Sequence, residues 1–124
     1  MEIINLTNES FERAISRKGI TVIDFWAEWC APCKIFAPIF EAASFELPDI
    51  TFAKVDIEAE KQLSFKLDIL AIPSIAIYKD GVLFYNEPGA LATGDLQKLL
   101  QAVREVDMNH AQMSFQNRKK VGAE

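Results

Sequence analysis

The chain has 124 residues, half of them hydrophobic and a quarter charged. That is the profile of one globular domain with enough apolar material for its own core. A net charge of −5 repels phosphate backbones and anionic lipid, which sets nucleic acid and membranes aside as partners. Two cysteines and one histidine are too few for the usual four-ligand zinc site, so no metal is expected.

The N-terminus, Met1-Glu2-Ile3-Ile4-Asn5, lacks a basic segment followed by a long apolar run and so does not read as a secretory signal. A cytoplasmic protein is expected. The glycosylation-like triplets Asn5-Leu6-Thr7 and Asn8-Glu9-Ser10 are read as chance matches. Structural disulfides are rare in such a compartment, and two cysteines only two residues apart point to chemistry rather than stapling.

Ile3 to Leu6 reads as a short strand. Asn8 and Ser10 stand as capping residues before Phe11, Ala14 and Ile15, whose spacing is helical, and Lys18-Gly19 ends that helix. Thr21 to Trp26 is apolar almost throughout and reads as a strand covered on both faces. Ile35, Phe36, Ile39, Phe40 and Ala43 form the apolar stripe expected of the next helix. Pro38 should kink that helix, and Pro48-Asp49 should close it.

Ile50 to Asp56 is a second apolar strand, and Glu58 to Leu67 a helix of weaker pattern. Ser74 to Tyr78 and Val82 to Tyr85 flank Asp80-Gly81, a strong signal for an antiparallel hairpin. Thr93 is expected to cap a last helix whose apolar face carries Leu96, Leu99, Leu100, Val103 and Val106. The alternation predicts an α/β fold: a central mixed sheet of about five strands, parallel at first with an antiparallel hairpin edge, and helices on both faces. The expected domain covers residues 1–106. Residues 107–124, with His110, Met113, Phe115 and Arg118-Lys119-Lys120, are expected to be a frayed or weakly helical tail.

Trp29-Cys30-Ala31-Pro32-Cys33-Lys34 joins the end of a strand to the start of a helix. Unpaired N–H groups and the positive end of the helix dipole favour a thiolate there, which makes Cys30 the better nucleophile. Cys33, one turn later, is within reach of it. Pro32 suits the first turn and stiffens the loop. The implied cycle is attack by Cys30 on a partner's disulfide, then attack by Cys33 on Cys30. Two inert buried thiols are the bland alternative.

Asp24 interrupts the apolar strand, and burial there should raise its pKa. It could take the proton from Cys33. Equally, it could be a structural carboxylate satisfied by backbone donors or by Lys54 on the neighbouring strand.

These residues resemble the thioredoxin family. Asp24 to Lys34 is similar to the family's active-site segment, departing mainly at Ala31, where glycine is usual. Ile72-Pro73-Ser74 is similar to its cis-proline loop, Phe52 to Asp56 to the strand with its buried lysine, and Gly89-Ala90-Leu91 to the loop before its last helix. The resemblance implies a thioredoxin fold from about Ile3 to Val106. It implies Cys30 as attacking thiol, Cys33 as resolving thiol, Asp24 as the group assisting Cys33, and Lys54 as tuning Asp24. Pro73 would be cis, with Ile72 pairing to a bound partner and Trp29, Ala31, Pro32, Ile72 and Gly89 lining the contact surface. Alanine at position 31 is a mild change, so a reducing potential of about −270 mV, that of the type protein, is expected.

The expected activity is reduction of disulfides in protein substrates, with no bound cofactor and with electrons from a thioredoxin-reductase-like donor. A monomer is expected. An oxidase or isomerase of exported proteins, and a binding module for which redox chemistry is incidental, are the competing readings.

Overall fold

A computed structural model describes residues 2–109. His110, Met113, Phe115 and the basic cluster of the expected tail lie outside the described residues. The elements are β1 (Ile4–Asn5), α1 (Phe11–Ile15), β2 (Ile20–Trp26), α2 (Ala31–Glu46), β3 (Thr51–Asp56), α3 (Lys61–Lys66), β4 (Ser74–Lys79), β5 (Val82–Pro88) and α4 (Thr93–Arg104). The five strands form one sheet in the order β1-β3-β2-β4-β5.

β3 is parallel to both β1 and β2. β4 is antiparallel to β2 as well as to β5, so antiparallel pairing starts inside the sheet rather than only at its hairpin edge. The connection after β3 explains this. α3 has six residues and is about 9 Å long, too short to carry the chain back along the sheet. β4 therefore starts with Ser74 beside Phe25, at the end of the sheet where β2 and β3 finish. The Ile72-Pro73 loop is left at that same end, next to the entry of α2.

The sheet is covered on both faces. Ile20, Val22, Phe52, Ile75 and Ile77 pack with Phe36, Phe40 and Ala43 of α2 and with Leu96, Leu100 and Val103 of α4. Ile23, Phe25, Ala53, Val55 and Ala76 pack on the other side with Phe11 and Ala14 of α1 and Leu63 of α3. Alternation along β2 sends successive side chains to opposite faces, and both faces are buried. That is why the strand reads as a continuous apolar run. Phe40 makes the first core's aromatic contacts, with ring centroids 5.8 Å from Phe36 and 5.1 Å from Phe52.

Several local expectations are corrected. Ile35, placed on the buried stripe of α2, is 70% exposed. The buried face is set by Cys33, Phe36, Phe40, Ala43 and Ser44, and one residue's step around a helix turns Ile35 away from it. Thr93 is the first residue of α4 rather than its cap; Ala92 holds that place with no side-chain hydrogen bond. Ser10 precedes α1, but its hydroxyl accepts from the Thr7 N–H and does not cap the helix. α3 begins at Lys61, because Asp56 Oδ1 accepts from the N–H groups of Glu58 and Ala59 and holds those residues in a turn. Pro38 lies within a single continuous α2.

Candidate redox site

The site forms where the sheet's C-terminal edge feeds α2. Cys30 is the N-cap of that 16-residue helix, with extended backbone (φ −91°, ψ 105°), and Pro32 lies in its first turn. The Cys33 N–H donates to Cys30 Sγ at 3.2 Å. A sulfur at the N-cap thus accepts one of the helix's orphan donors, and negative charge there is favoured by the dipole. The two cysteines form a disulfide with Cα atoms 5.2 Å apart. Both are almost fully buried, and they cluster with Ala27, Trp26, Ile57 and Ile72.

The facing loop is held against this pair. The Ile72–Pro73 peptide is cis. Pro73 O accepts from the Gly89 N–H at 2.7 Å, and Gly89 has φ +108°, where a side chain would be strained. Cys30, Cys33, Ile72, Pro73 and Gly89 therefore converge in one corner. Ile72 forms no backbone hydrogen bond among the described residues. Trp29, 66% exposed, stands beside them. A shallow cleft of about 270 Å³ runs from Trp29 along Ile57, Ile69, Leu70, Ala71 and Ile72.

Asp24 lies beneath. Alternation puts it between Val22 and Trp26 on the α2 side of β2. Val22 packs under Phe36 and Phe40, and Trp26 packs against the cysteine cluster. Asp24 is fully buried, and neither carboxylate oxygen has a hydrogen-bond partner among the described residues. Its register partner on β3 is Lys54, whose Nζ is 3.8 Å from Oδ2 and 5.1 Å from the Trp26 ring centroid. Burial pushes the Asp24 carboxyl up to about 6, with Lys54 pulling the other way. Desolvation wins because the cation is at ion-pair distance without a hydrogen bond. Of the structural readings open for Asp24, backbone satisfaction is absent and Lys54 is the neighbour.

Sequence reasoning missed Leu70, Ile69 and Ile57 as lining residues. A leucine in a loop followed by Ala-Ile-Pro has no periodicity to mark it, and its 87% exposure follows only from the path of the loop. Among the described residues no group of three or more His, Cys, Asp or Glu side chains could hold a metal ion. No described helix is long and apolar enough to cross a membrane.

A family model described as Thioredoxin matches residues 2–102. The putative thioredoxin 2 of Streptomyces coelicolor is 39% identical over 106 residues, which is 86% of this chain and 79% of the relative. The thioredoxin of Mycoplasmoides gallisepticum is 34% identical over 98 residues, 78% of this chain and 98% of that protein. Among solved structures, the thioredoxin of Malassezia sympodialis superposes with a TM-score of 0.72 at 29% identity, covering 82% of this chain and 90% of that one. A matching family model over most of the length, relatives above 30% identity and a dithiol pair at the head of a helix agree: the chain belongs to the thioredoxin family of thiol–disulfide oxidoreductases.

Proposed function

We propose the following division of labour for protein-disulfide reduction at this site. Cys30 as thiolate attacks one sulfur of a partner's disulfide, forming a mixed disulfide and releasing the partner's other sulfur as thiolate. Cys33 gives its proton to Asp24, directly or through a water, and attacks Cys30 Sγ. The partner leaves as a dithiol, its two thiolates taking the proton held by Asp24 and one from water, and Cys30–Cys33 becomes the disulfide seen here. Two electrons and two protons from a thioredoxin-reductase-like donor restore the dithiol, with the nicotinamide cofactor belonging to that donor. The chain itself carries no cofactor in this cycle.

The observation that carries the reading is the placement of Cys30 Sγ at the N-cap, accepting the Cys33 N–H at 3.2 Å. Asp24, buried and held near 6, is poised to exchange a proton near neutrality. Lys54 is a positioning residue that limits how far burial raises Asp24. Trp29, Ala31, Pro32, Ile72 and Gly89 form the contact surface, to which Leu70 is added. The unpaired backbone of Ile72 suits a partner segment laid alongside as a short strand.

Both cysteines come from one chain, so the chemistry requires no second copy. The domain ends near residue 106, a reading supported by Lys79 Nζ, which donates to the carbonyls of Val103, Arg104 and Val106. A cytoplasmic electron-transfer role follows from the resemblance. Reduction of insulin disulfides, with dithiothreitol as donor, tests the reading. Rapid turnover by the wild type and none by Cys30→Ser is expected; an inactive wild type, or an active Cys30→Ser, would overturn it.

A further inference from the structure

Leu70 is a ridge between two clefts. On one side it lines, with Ile69 and Ala71, the cleft that begins at Trp29. The same three residues wall a second cleft, of about 200 Å³, on the side toward the β4–β5 hairpin. Asp68, Ser74, Asn86 and Pro88 complete it. The strand register explains the hairpin's share. Asn86 pairs with Ala76 and Pro88 with Ser74, and directly opposed residues share a face of the sheet. Ala76 belongs to the core under α1 and α3, so Asn86 and Pro88 are turned to the side where the loop after α3 runs. Glu87 pairs with Ile75, which belongs to the other core, and is turned away.

The backbone over the ridge is unengaged. Leu70, Ala71 and Ile72 form no backbone hydrogen bond among the described residues. A partner segment that pairs at Ile72 and continues along this run passes over Leu70 to the second cleft. The chemistry of the cleft limits what it accepts there. Its walls are apolar at Ile69, Leu70, Ala71 and Pro88, and its polar side chains are Asp68, Asn86 and Ser74. The Ser74 hydroxyl already donates to Glu87 O at 3.3 Å. Among the described residues no ion pair engages the Asp68 carboxylate, and no cation lines the cleft. A long side chain with an apolar stem and a cationic head satisfies both parts: methylenes on the walls, head on Asp68 and Asn86. An anionic side chain would meet Asp68 directly.

We propose that this second cleft is a specificity subsite, which receives a lysine or arginine side chain of the partner a few residues from its reacting cysteine. The proposal rests on the disulfide-reduction reading above and adds a substrate class to it. Ile72 packs with Cys30, and Leu70 stands two residues before it. An extended segment advances about 3.3 Å per residue, so the residue that reaches past Leu70 is about two to four positions from the cysteine. The cleft is smaller than a typical ligand pocket and suits one side chain.

Short peptides test this, each with a single cysteine carried as a thionitrobenzoate disulfide. Cys30 of the reduced full chain attacks the peptide sulfur and bonds to it, and thionitrobenzoate leaves with the electron pair of the broken bond as a coloured thiolate. Lysine or glutamate is placed in turn at the second, third or fourth position on either side of the cysteine, in an otherwise neutral peptide. At one of these positions the lysine peptide is expected to react about fivefold faster than the glutamate peptide. Asp68→Asn removes the charge and keeps the shape, and asparagine also tolerates the left-handed backbone of residue 68 (φ 59°). In that variant the preference is expected to fall below about twofold. The ratio is taken within each protein, so a loss of folded material cancels. A preference equal at every position, or one that survives Asp68→Asn, comes from the net charge of −5 and overturns the proposal. Equal rates for lysine and glutamate throughout overturn it too. Insulin separates the two failures. If insulin is reduced while the peptides show no preference, the subsite alone falls; if insulin is not reduced, the reading beneath it falls as well.

Discussion

Asp24 and Lys54 are register partners on adjacent parallel strands, yet Oδ2 and Nζ stand 3.8 Å apart, in ion-pair range but outside a hydrogen bond. The pair is asymmetric. Asp24 is fully buried, while the Lys54 side chain keeps 20% of its surface and lies over the Trp26 ring. The carboxyl pays the desolvation, and the cation refunds only part of it. An Asp held at about 6 is thus a liability for stability and an asset for proton transfer.

Asp24→Asn is expected to stabilise the oxidised protein at pH 7 by up to about 3 kcal/mol. Below the ordinary carboxylate pKa of 3.8, folded and unfolded chains both carry the proton and Asp24 costs nothing. Between that value and about 6 the folded chain holds a proton that the unfolded chain has lost, so stability falls as pH rises. Above about 6 the penalty is complete. Urea unfolding at pH 4 and pH 7 checks this: the variant's advantage should be present at pH 7 and mostly gone at pH 4. In stopped-flow kinetics the same variant should slow resolution of the mixed disulfide about a hundredfold and leave the first attack by Cys30 nearly unchanged.

Lys54→Met keeps the packing of the aliphatic stem and removes the cation. Lys54 lowers the Asp24 pKa, so its loss should move that pKa further above 6. The acid limb of the pH–rate profile for mixed-disulfide resolution should move to higher pH with it, because Asp24 accepts a proton only when ionised. Carbon-13 NMR titration of the Asp24 carboxyl in wild type and variant measures the shift directly. Identical titrations would remove Lys54 from its positioning role.

The cysteine pair and the strand-to-helix setting were legible in the sequence because chemistry and local geometry coincide there. Cys30, Pro32 and Cys33 each favour a helix start for their own reason, and the helix is found at Ala31. Asp24 was legible as a lone carboxylate in an apolar run. The order of strands was less so. The antiparallel entry of β4 depends on the short connection through α3, a constraint in three dimensions that periodicity does not carry. Ile35 misled because both sides of α2 are apolar. An apolar pattern marks which residues could be buried, but Phe36, Phe40 and Ala43 reach the sheet and Ile35, Phe45, Pro38 and Ala42 do not.

Lys79 ends β4 and closes α4. Its Nζ donates to the carbonyls of Val103, Arg104 and Val106 at 3.0, 2.9 and 3.0 Å, the first two being acceptors that a helix leaves unpaired at its C-terminus. Lys79→Met should cost about 1–3 kcal/mol, read as a lower midpoint in urea. Hydrogen exchange should quicken in the last turn of α4. The redox potential, measured by equilibration with glutathione, should not change, since α4 does not touch the cysteine cluster.

Leu70 tests the contact surface without touching the chemistry. It is 87% exposed and lines the cleft with Trp29 and Ile72, so folding does not need it. Leu70→Lys should leave stability within about 0.5 kcal/mol of wild type. It should also leave the reaction with dithiothreitol unchanged, because that reagent has no flanking residues to lay along the cleft. A protein disulfide is different. On the proposed reading its flanking residues lie along the cleft while Cys30 attacks, and a lysine would put a hydrated charge where an apolar side chain was to be covered. The expected result is a KM for insulin several-fold higher with kcat nearly constant, the signature of lost binding that does not change during reaction. A fall in kcat alone would place Leu70 in the chemistry, and no change in either constant would confine the contact surface to Trp29, Ile72 and Gly89.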